Sequence, residues 1–324
     1  MSRRTSVFWN RDERRPRALW RLLLQTLMLL VASLCLLPVG RLFAAHPLGV
    51  LIAERMPYLL MIVTVWLATR LLDRRSIGEL GLRMNRGWWL DCCFGLLLGL
   101  LLIAGVFTAA TLGGWIQFRT VPVVGELGLP LAAALLCVLL EVALVAVGEE
   151  VWCRGYQLRN LADGLRGRRI GPRAALGISV VLTAAVFSGL HLRDSNSSIL
   201  SAVNTFLGGV LLGLGLACTG RLGLPIGFHL AWNFAQGGLF GFPVSGKPPR
   251  VALLTIDHYG STLWTGGAYG PEGGLLGTAA FLTAIALTLA WVAFLQRSGR
   301  PPWRPSRFKR SPVLLGRHGG RPLH

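Results

Sequence analysis

Residues 129–154 read LPLAAALLCVLLEVALVAVGEEVWCR, and this stretch decides the class of fold. Between Leu129 and Val147 the only ionisable side chain besides a cysteine is Glu141. An apolar run of about 17 to 25 residues is long enough to cross a bilayer as a helix. A carboxylate at the bilayer centre costs roughly 3 kcal/mol, so such a group usually faces a protein partner or a water-filled cavity. The stretch therefore predicts a membrane-spanning helix whose carboxylates have a specific task.

The composition of the whole chain agrees with this prediction. Of the 324 residues 53% are hydrophobic and only 15% are charged, which is typical of polytopic membrane proteins. We predict an all-α integral membrane bundle of about eight transmembrane helices. The expected spans are 18–39, 50–69, 92–112, 129–152, 174–192, 199–219, 222–241 and 275–296.

The distribution of arginine predicts the orientation and the organisation of the chain. Arginines cluster before the first span, after the second and fourth spans, and in the tail, whereas the alternate loops hold few. By the positive-inside rule, both termini are cytoplasmic. We expect a basic N-terminus at 1–17, a transmembrane domain at 18–298 and a basic, Pro-rich tail at 299–324. Because no organelle-targeting signal is visible, we expect a bacterial inner-membrane protein.

The net charge of +19 raises the question of a nucleic-acid partner. These charges lie in loops that flank apolar spans, and they do not form the basic face of a folded domain. Attraction to anionic lipid headgroups accounts for such loops. We therefore expect membrane lipids as partners and no nucleic acid.

The motif EExxxR, formed by Glu149, Glu150 and Arg154, ends the apolar run. Residues four apart share one face of a helix, so Glu150 and Arg154 can form an ion pair. Glu149 points about 100° away around the helix and is left free for other work.

Two histidines lie within later apolar spans, and the other four lie in loops or the tail. His191 follows Phe187 by four residues, and His229 precedes Asn233 by four. Together with Glu149 they supply a base for water, a group to position it, and donors for a developing oxyanion. The set therefore predicts hydrolytic chemistry.

The depth of these residues presents a difficulty. Simple spans place Glu149 near the inner end of the fourth helix and His191 near the outer end of the fifth. The side chains can meet if the fourth helix continues past Arg154, or if the fifth span is short or tilted. We expect the helix to continue, because the residues after Arg154 are compatible with further helical turns.

The order EExxxR, FxxxH, HxxxN resembles the CPBP family of intramembrane proteases, which includes the CAAX prenyl endopeptidases and the bacterial Abi proteins. The resemblance covers about residues 130–241, with a looser match in TGGAYGPEGG at 265–274. It implies an intramembrane endopeptidase that cuts a membrane-associated peptide or protein substrate.

The resemblance also implies roles for individual residues. Glu149 would activate water, and His191 would help to hold that water. His229 and Asn233 would donate to the carbonyl oxygen of the scissile peptide. Supporting positions would be Glu150, Arg154 and Phe187, with Glu150 held by Arg154.

Metal dependence stays open, since the family has been described both as glutamate-dependent and as metalloproteases. Zinc needs three protein ligands and an open position, and Glu149, His191 and His229 are the candidates. The chain lacks the HExxH motif of typical zinc proteases. A water activated without a metal is therefore the favoured reading, and zinc or another divalent ion is the alternative cofactor.

Two other classes of function compete with the protease. A non-proteolytic scaffold, immunity or regulatory protein could keep the fold and use its cavity to bind a partner, but it would not need all four polar residues. A transporter or proton channel could relay protons through buried Glu and His. No symmetric pair of broken helices marks the repeat interface of a transporter.

Overall fold

The computed structural model describes residues 7–11, 13–42, 47–124 and 128–297. The helices are α1 Ala18–Leu42, α2 Pro47–Leu71, α3 Arg86–Leu112, α4 Leu131–Glu149, α5 Arg159–Leu165, α6 Pro172–His191, α7 Ile199–Thr219, α8 Gly223–Asn233, α9 Thr262–Thr265 and α10 Leu275–Arg297. Two π-helical segments, Glu150–Leu158 and Phe234–Leu239, follow α4 and α8 directly. Short 3-10 turns are found at Ile77–Leu80, Gly267–Tyr269 and Pro271–Gly273. The strands form two short antiparallel pairs, β1 Trp9–Asn10 with β2 Arg15–Pro16 and β3 Ile116–Arg119 with β4 Thr255–His258. The predicted all-α membrane bundle is confirmed.

Seven helices in the described ranges are long and apolar enough to cross a membrane, so the protein is a multi-pass membrane protein. They are α1, α2, α3, the continuous helix from Leu131 to Leu165, α6, α7 and α10. The eighth predicted span, 222–241, is not one of these long helices. It forms α8 and the π-helical segment that ends at Leu239, and most of its residues are buried. Seven of the eight predicted spans are therefore long apolar helices, and the eighth is a shorter, buried helix inside the bundle.

Although short, α8 and its π-helical extension join the two ends of the bundle. Before α8, the backbone N–H of Leu222 donates to Gly81 O at 2.9 Å, in the turn between α2 and α3. At the other end, the N–H of Leu253 donates to Gly238 O at 2.8 Å, in the long loop before α10. This passage carries His229 and Asn233 through the interior of the bundle.

Small residues allow α8 to pack directly on α3. An added Cβ at Gly99 of α3 would lie 2.8 Å from Phe228 O, and one at Gly223 or Gly227 of α8 would clash with the α3 backbone. Close approach through glycine is a common way for membrane helices to associate. These contacts fix the position of the helix that bears His229.

The apolar run of α4 contains its expected polar exception. Glu141 forms an ion pair with Arg55 of α2, whose guanidinium also lies 3.7 Å from Glu54. A charged side chain at membrane depth usually has such a partner. This ion pair joins α2 to α4.

Both predicted terminal segments lie wholly or partly outside the described residues. The predicted tail at 299–324 lies outside the described residues, as do positions 1–6 and 12 of the predicted basic N-terminus. The cytoplasmic placement of both termini remains a prediction.

Candidate active site

The helix that carries EExxxR does not end at the motif. The α4 helix, the π-helical segment and α5 form one continuous helix from Leu131 to Leu165. Glu149 and Glu150 therefore lie well inside this helix, at the junction between α4 and the π-helical segment. The expected continuation past Arg154 is confirmed, and it removes the difficulty of depth.

Glu150 is completely buried and paired. Its Oε1 accepts a hydrogen bond from Arg154 Nη1 at 2.8 Å, and both side chains are almost inaccessible to solvent. A buried pair of this kind holds only because each charge compensates the other. The predicted pairing of Glu150 with Arg154 is confirmed. Arg154 balances the charge of Glu150, so this glutamate needs no partner from a substrate.

Arg154 also connects the EExxxR motif to the FxxxH motif. Its guanidinium carbon lies 4.2 Å from the centre of the Phe187 ring, which is within the range of a cation–π contact. The same ring also packs against His191, and the centroids of the two rings are 4.4 Å apart. Phe187 therefore packs against both Arg154 and His191, so the aromatic residue of FxxxH has a structural role.

A backbone contact shows that Nδ1 of the His191 ring carries a proton. Its Nδ1 lies 2.8 Å from Phe187 O, and a carbonyl oxygen can only accept. Nδ1 therefore carries a proton, and in the neutral ring Nε2 is the acceptor nitrogen. His191 can thus accept a hydrogen bond from water through Nε2.

His229 lies between the two glutamates. Its Nδ1 is 3.0 Å from Glu150 Oε1, and its Nε2 is 3.9 Å from Glu149 Oε2. The ionised carboxylate of Glu150 can only accept, so Nδ1 donates to it. A histidine fixed in this way presents its Nε2 in a defined direction towards Glu149.

One cavity of about 800 Å³ collects the predicted residues. Glu149, His191, His229 and Asn233 all line it. Side chains from α2, α4, α6, α7, α8 and α10 complete the wall, and many of them are apolar. The cavity is thus a mostly apolar chamber inside the bundle with a small set of polar groups, as expected of a ligand site.

Tyr58 and Glu272 also line the cavity, and neither was among the predicted site residues. Tyr58 of α2 packs beside Gly148, directly before Glu149, and only a structure could have shown this proximity. Glu272 is buried at the loop end of the cavity, where its Oε2 accepts from the N–H of Ser245 at 2.9 Å. Burial raises the pKa of Glu272. Its signal was the TGGAYGPEGG stretch, which the sequence analysis noted without assigning a role.

The three candidate metal ligands share the cavity without forming a coordination set. Across the described residues, no three His, Cys, Asp or Glu side chains are grouped so that they could hold a metal ion. As arranged, Glu149, His191 and His229 do not fit a zinc site, and we derive no step through a metal.

Residues 130–235 match the family model described as "Type II CAAX prenyl endopeptidase Rce1-like". This segment, about a third of the chain, is therefore similar to that family. The matched segment contains every predicted site residue from Glu149 to Asn233, so the resemblance based on the three motifs is confirmed. Neither the curated proteins nor the solved structures gave a match to the chain.

Proposed function

We propose that this protein is an intramembrane endopeptidase that hydrolyses peptide bonds through a water activated by Glu149. The observation that carries the proposal is the gathering of Glu149, His191, His229 and Asn233, all from the matched segment, around one cavity. A scaffold would need a cavity but would not need a base, a water acceptor and two donors that face the same space.

The assignment of the base follows from the pairing of the two glutamates. Glu150 is bound to Arg154 and His229, whereas Glu149 Oε2 lies 3.9 Å from His229 Nε2, beyond hydrogen-bond distance. Glu149 is therefore the carboxylate with free acceptor capacity in the cavity. It takes a proton from water while His191 Nε2 accepts the second hydrogen bond of that water.

The remaining steps use the α8 residues. The activated water attacks the scissile carbonyl carbon, and the carbonyl oxygen gains negative charge. The amide of Asn233 donates to this oxyanion, as does His229 whenever its Nε2 carries a proton. Glu149 then returns its proton to the leaving amine, the C–N bond breaks, and the enzyme regains its starting state.

The cavity also suggests the class of substrate. Its wall is largely apolar in the middle, whereas Lys247, Arg250 and Glu54 line the loop end. This combination suits a peptide that is associated with the membrane and has a polar segment at the surface. We propose such a peptide or protein as the substrate, without assuming a prenyl group, and a bacterial inner membrane as the location.

The test is cleavage by the purified protein in detergent, with a library of membrane-derived peptides and mass spectrometry as the readout. Products of the wild type should disappear with Glu149→Gln and with His229→Ala. Asp257→Asn is the matched control, because Asp257 pairs with Arg119 and lies outside the lining of the cavity. Products that persist in the Glu149→Gln and His229→Ala variants would refute the assignment of the site.

A further inference from the structure

Gln25 is a buried polar residue in α1, outside the segment that matches the CAAX protease family. Its side chain is fully buried, although leucines on either side of it, such as Leu24 and Leu27, are exposed on the outer face of the helix. A buried amide in an apolar helix needs hydrogen-bond partners, and polar contacts of this kind join membrane helices. The partners of Gln25 indicate what this contact does.

All of the polar contacts described for Gln25 cross to other helices. Its Oε1 accepts from Trp152 Nε1 at 3.1 Å and from Gln157 Nε2 at 2.7 Å. Its Nε2 donates to Thr64 Oγ1 of α2 at 3.3 Å. A single oxygen of α1 therefore holds two side chains of the π-helical segment Glu150–Leu158.

The spacing of the two donors is informative. Trp152 and Gln157 are five residues apart. Five residues of an α-helix turn the chain by about 140° beyond a full turn, so the two side chains would diverge. A π-helix is defined by bonds between residues five apart, which brings such residues onto the same side. One acceptor between these donors fits the π register and does not fit the α register.

The register matters because the segment begins at the candidate catalytic pair. Glu149 is the last residue of α4, and Glu150 is the first residue of the π-helical segment. Rewinding this segment as α-helix would rotate Glu150 and Arg154 relative to the residues that follow. Trp152 also lines the cavity beside Glu149, so a loosened indole would change the wall of the site.

We infer that Gln25 is a positioning residue, which holds Glu150–Leu158 in the π register and thereby orients Glu149 and Glu150 in the cavity. Its effect on catalysis rests on the proposed endopeptidase function, whereas its effect on the register does not. The first helix thus supports a site that lies in the family-matched core.

Two readouts test the inference in the full-length protein, namely backbone hydrogen exchange and peptide cleavage. Gln25→Leu removes both acceptor bonds and keeps an apolar side chain of similar size. We expect faster exchange of the amides in Glu150–Leu158, with α7 unchanged. We also expect kcat to fall by about 100-fold, the loss typical of a small misplacement of catalytic groups, while KM stays close to that of the wild type.

Thr64→Val is the matched control, because it removes the third bond of Gln25 without touching the π-helical segment. It should leave both readouts close to those of the wild type. If Gln25→Leu does not fold, Gln157→Leu removes the shorter acceptor bond from the opposite side and should give the same local loss of protection.

Three outcomes would overturn the inference. The first is unchanged exchange in Glu150–Leu158 after Gln25→Leu, and the second is faster exchange with unchanged kcat. The third is an equal effect of Thr64→Val, which would mean that Gln25 only packs α1 against α2. A wild type that cleaves no peptide would refute the proposed function, and the exchange comparison would still decide the register.

Discussion

Glu150 Oε1 and His229 Nδ1 lie 3.0 Å apart, although 79 residues separate them along the chain. This contact joins the EExxxR motif to the HxxxN motif, and Arg154 joins the same carboxylate to the ring of Phe187. Glu150 is therefore the residue through which the three motifs hold one another. This use of Glu150 supports the proposal that Glu149 is the glutamate that acts on water.

Glu149→Gln should abolish peptide cleavage and leave the fold intact. Glutamine keeps the shape of the side chain but cannot accept a proton from water, and loss of a general base costs about 10²- to 10⁴-fold in rate. His229 Nε2 lies 3.9 Å from Glu149 Oε2, beyond hydrogen-bond distance, so little stability is lost with this contact. Cleavage rate and thermal unfolding in detergent check this prediction, and cleavage near the wild-type rate would contradict it.

Arg154→Met should destabilise the protein strongly. The substitution leaves Glu150 buried without its cation, and breaking a buried ion pair costs about 3–5 kcal/mol. Thermal unfolding in detergent measures the loss.

The double variant Glu150→Gln with Arg154→Met is the control for this prediction. It removes both charges, so it should be more stable than Arg154→Met alone. Equal melting temperatures for the single and double variants would mean that the unpaired charge is not the cause of the loss.

Most of the fold and of the candidate site could be predicted from the sequence, and two features could not. The apolar runs predicted the helices, and the three motifs predicted which side chains share the cavity, because spacing along a helix fixes a face. Two features depend on tertiary contacts and escaped prediction. The π register of Glu150–Leu158 is held by Gln25, which lies more than 100 residues earlier in the sequence. Hydropathy also does not reveal that α8 is short and is buried against α3.

Asn233→Ala should lower kcat with little effect on KM. If the amide of Asn233 stabilises the oxyanion, its loss costs about 10²- to 10³-fold in kcat, as for other oxyanion donors. Asn233→Asp is the matched variant, because it keeps the size of the side chain but has no N–H to donate. Steady-state kinetics should show both variants impaired, and an Asp variant as active as the wild type would exclude a donor role.

Chelation should leave cleavage unchanged. Glu149, His191 and His229 are not grouped as metal ligands in the described structure, and the proposed mechanism uses a water activated by Glu149. The measurement compares peptide cleavage before and after dialysis against EDTA and 1,10-phenanthroline, with metal analysis of the same samples. Activity that disappears on chelation and returns with Zn²⁺ would contradict the prediction and would require these side chains to rearrange around an ion.

Glu272 should make the stability of the loop end of the cavity depend on pH. Burial is the main cause that raises its pKa, and hydrogen bonds from Ser245 oppose this effect only in part. An acid with a raised pKa in the folded state contributes stability below its unfolded pKa, which is about 4.3 for Glu. This contribution is lost as the pH rises through the folded pKa, because the folded state then holds a buried charge.

The check compares the wild type with Glu272→Gln, which resembles the protonated acid and can still accept from the N–H of Ser245. Their melting temperatures in detergent should be similar near pH 4, and the variant should become the more stable of the two as the pH rises. The neighbouring Asp194 also has a pKa raised by burial, but it is present in both proteins and its effect cancels in the comparison. Parallel melting curves across the pH range would mean that Glu272 carries no titration linked to folding.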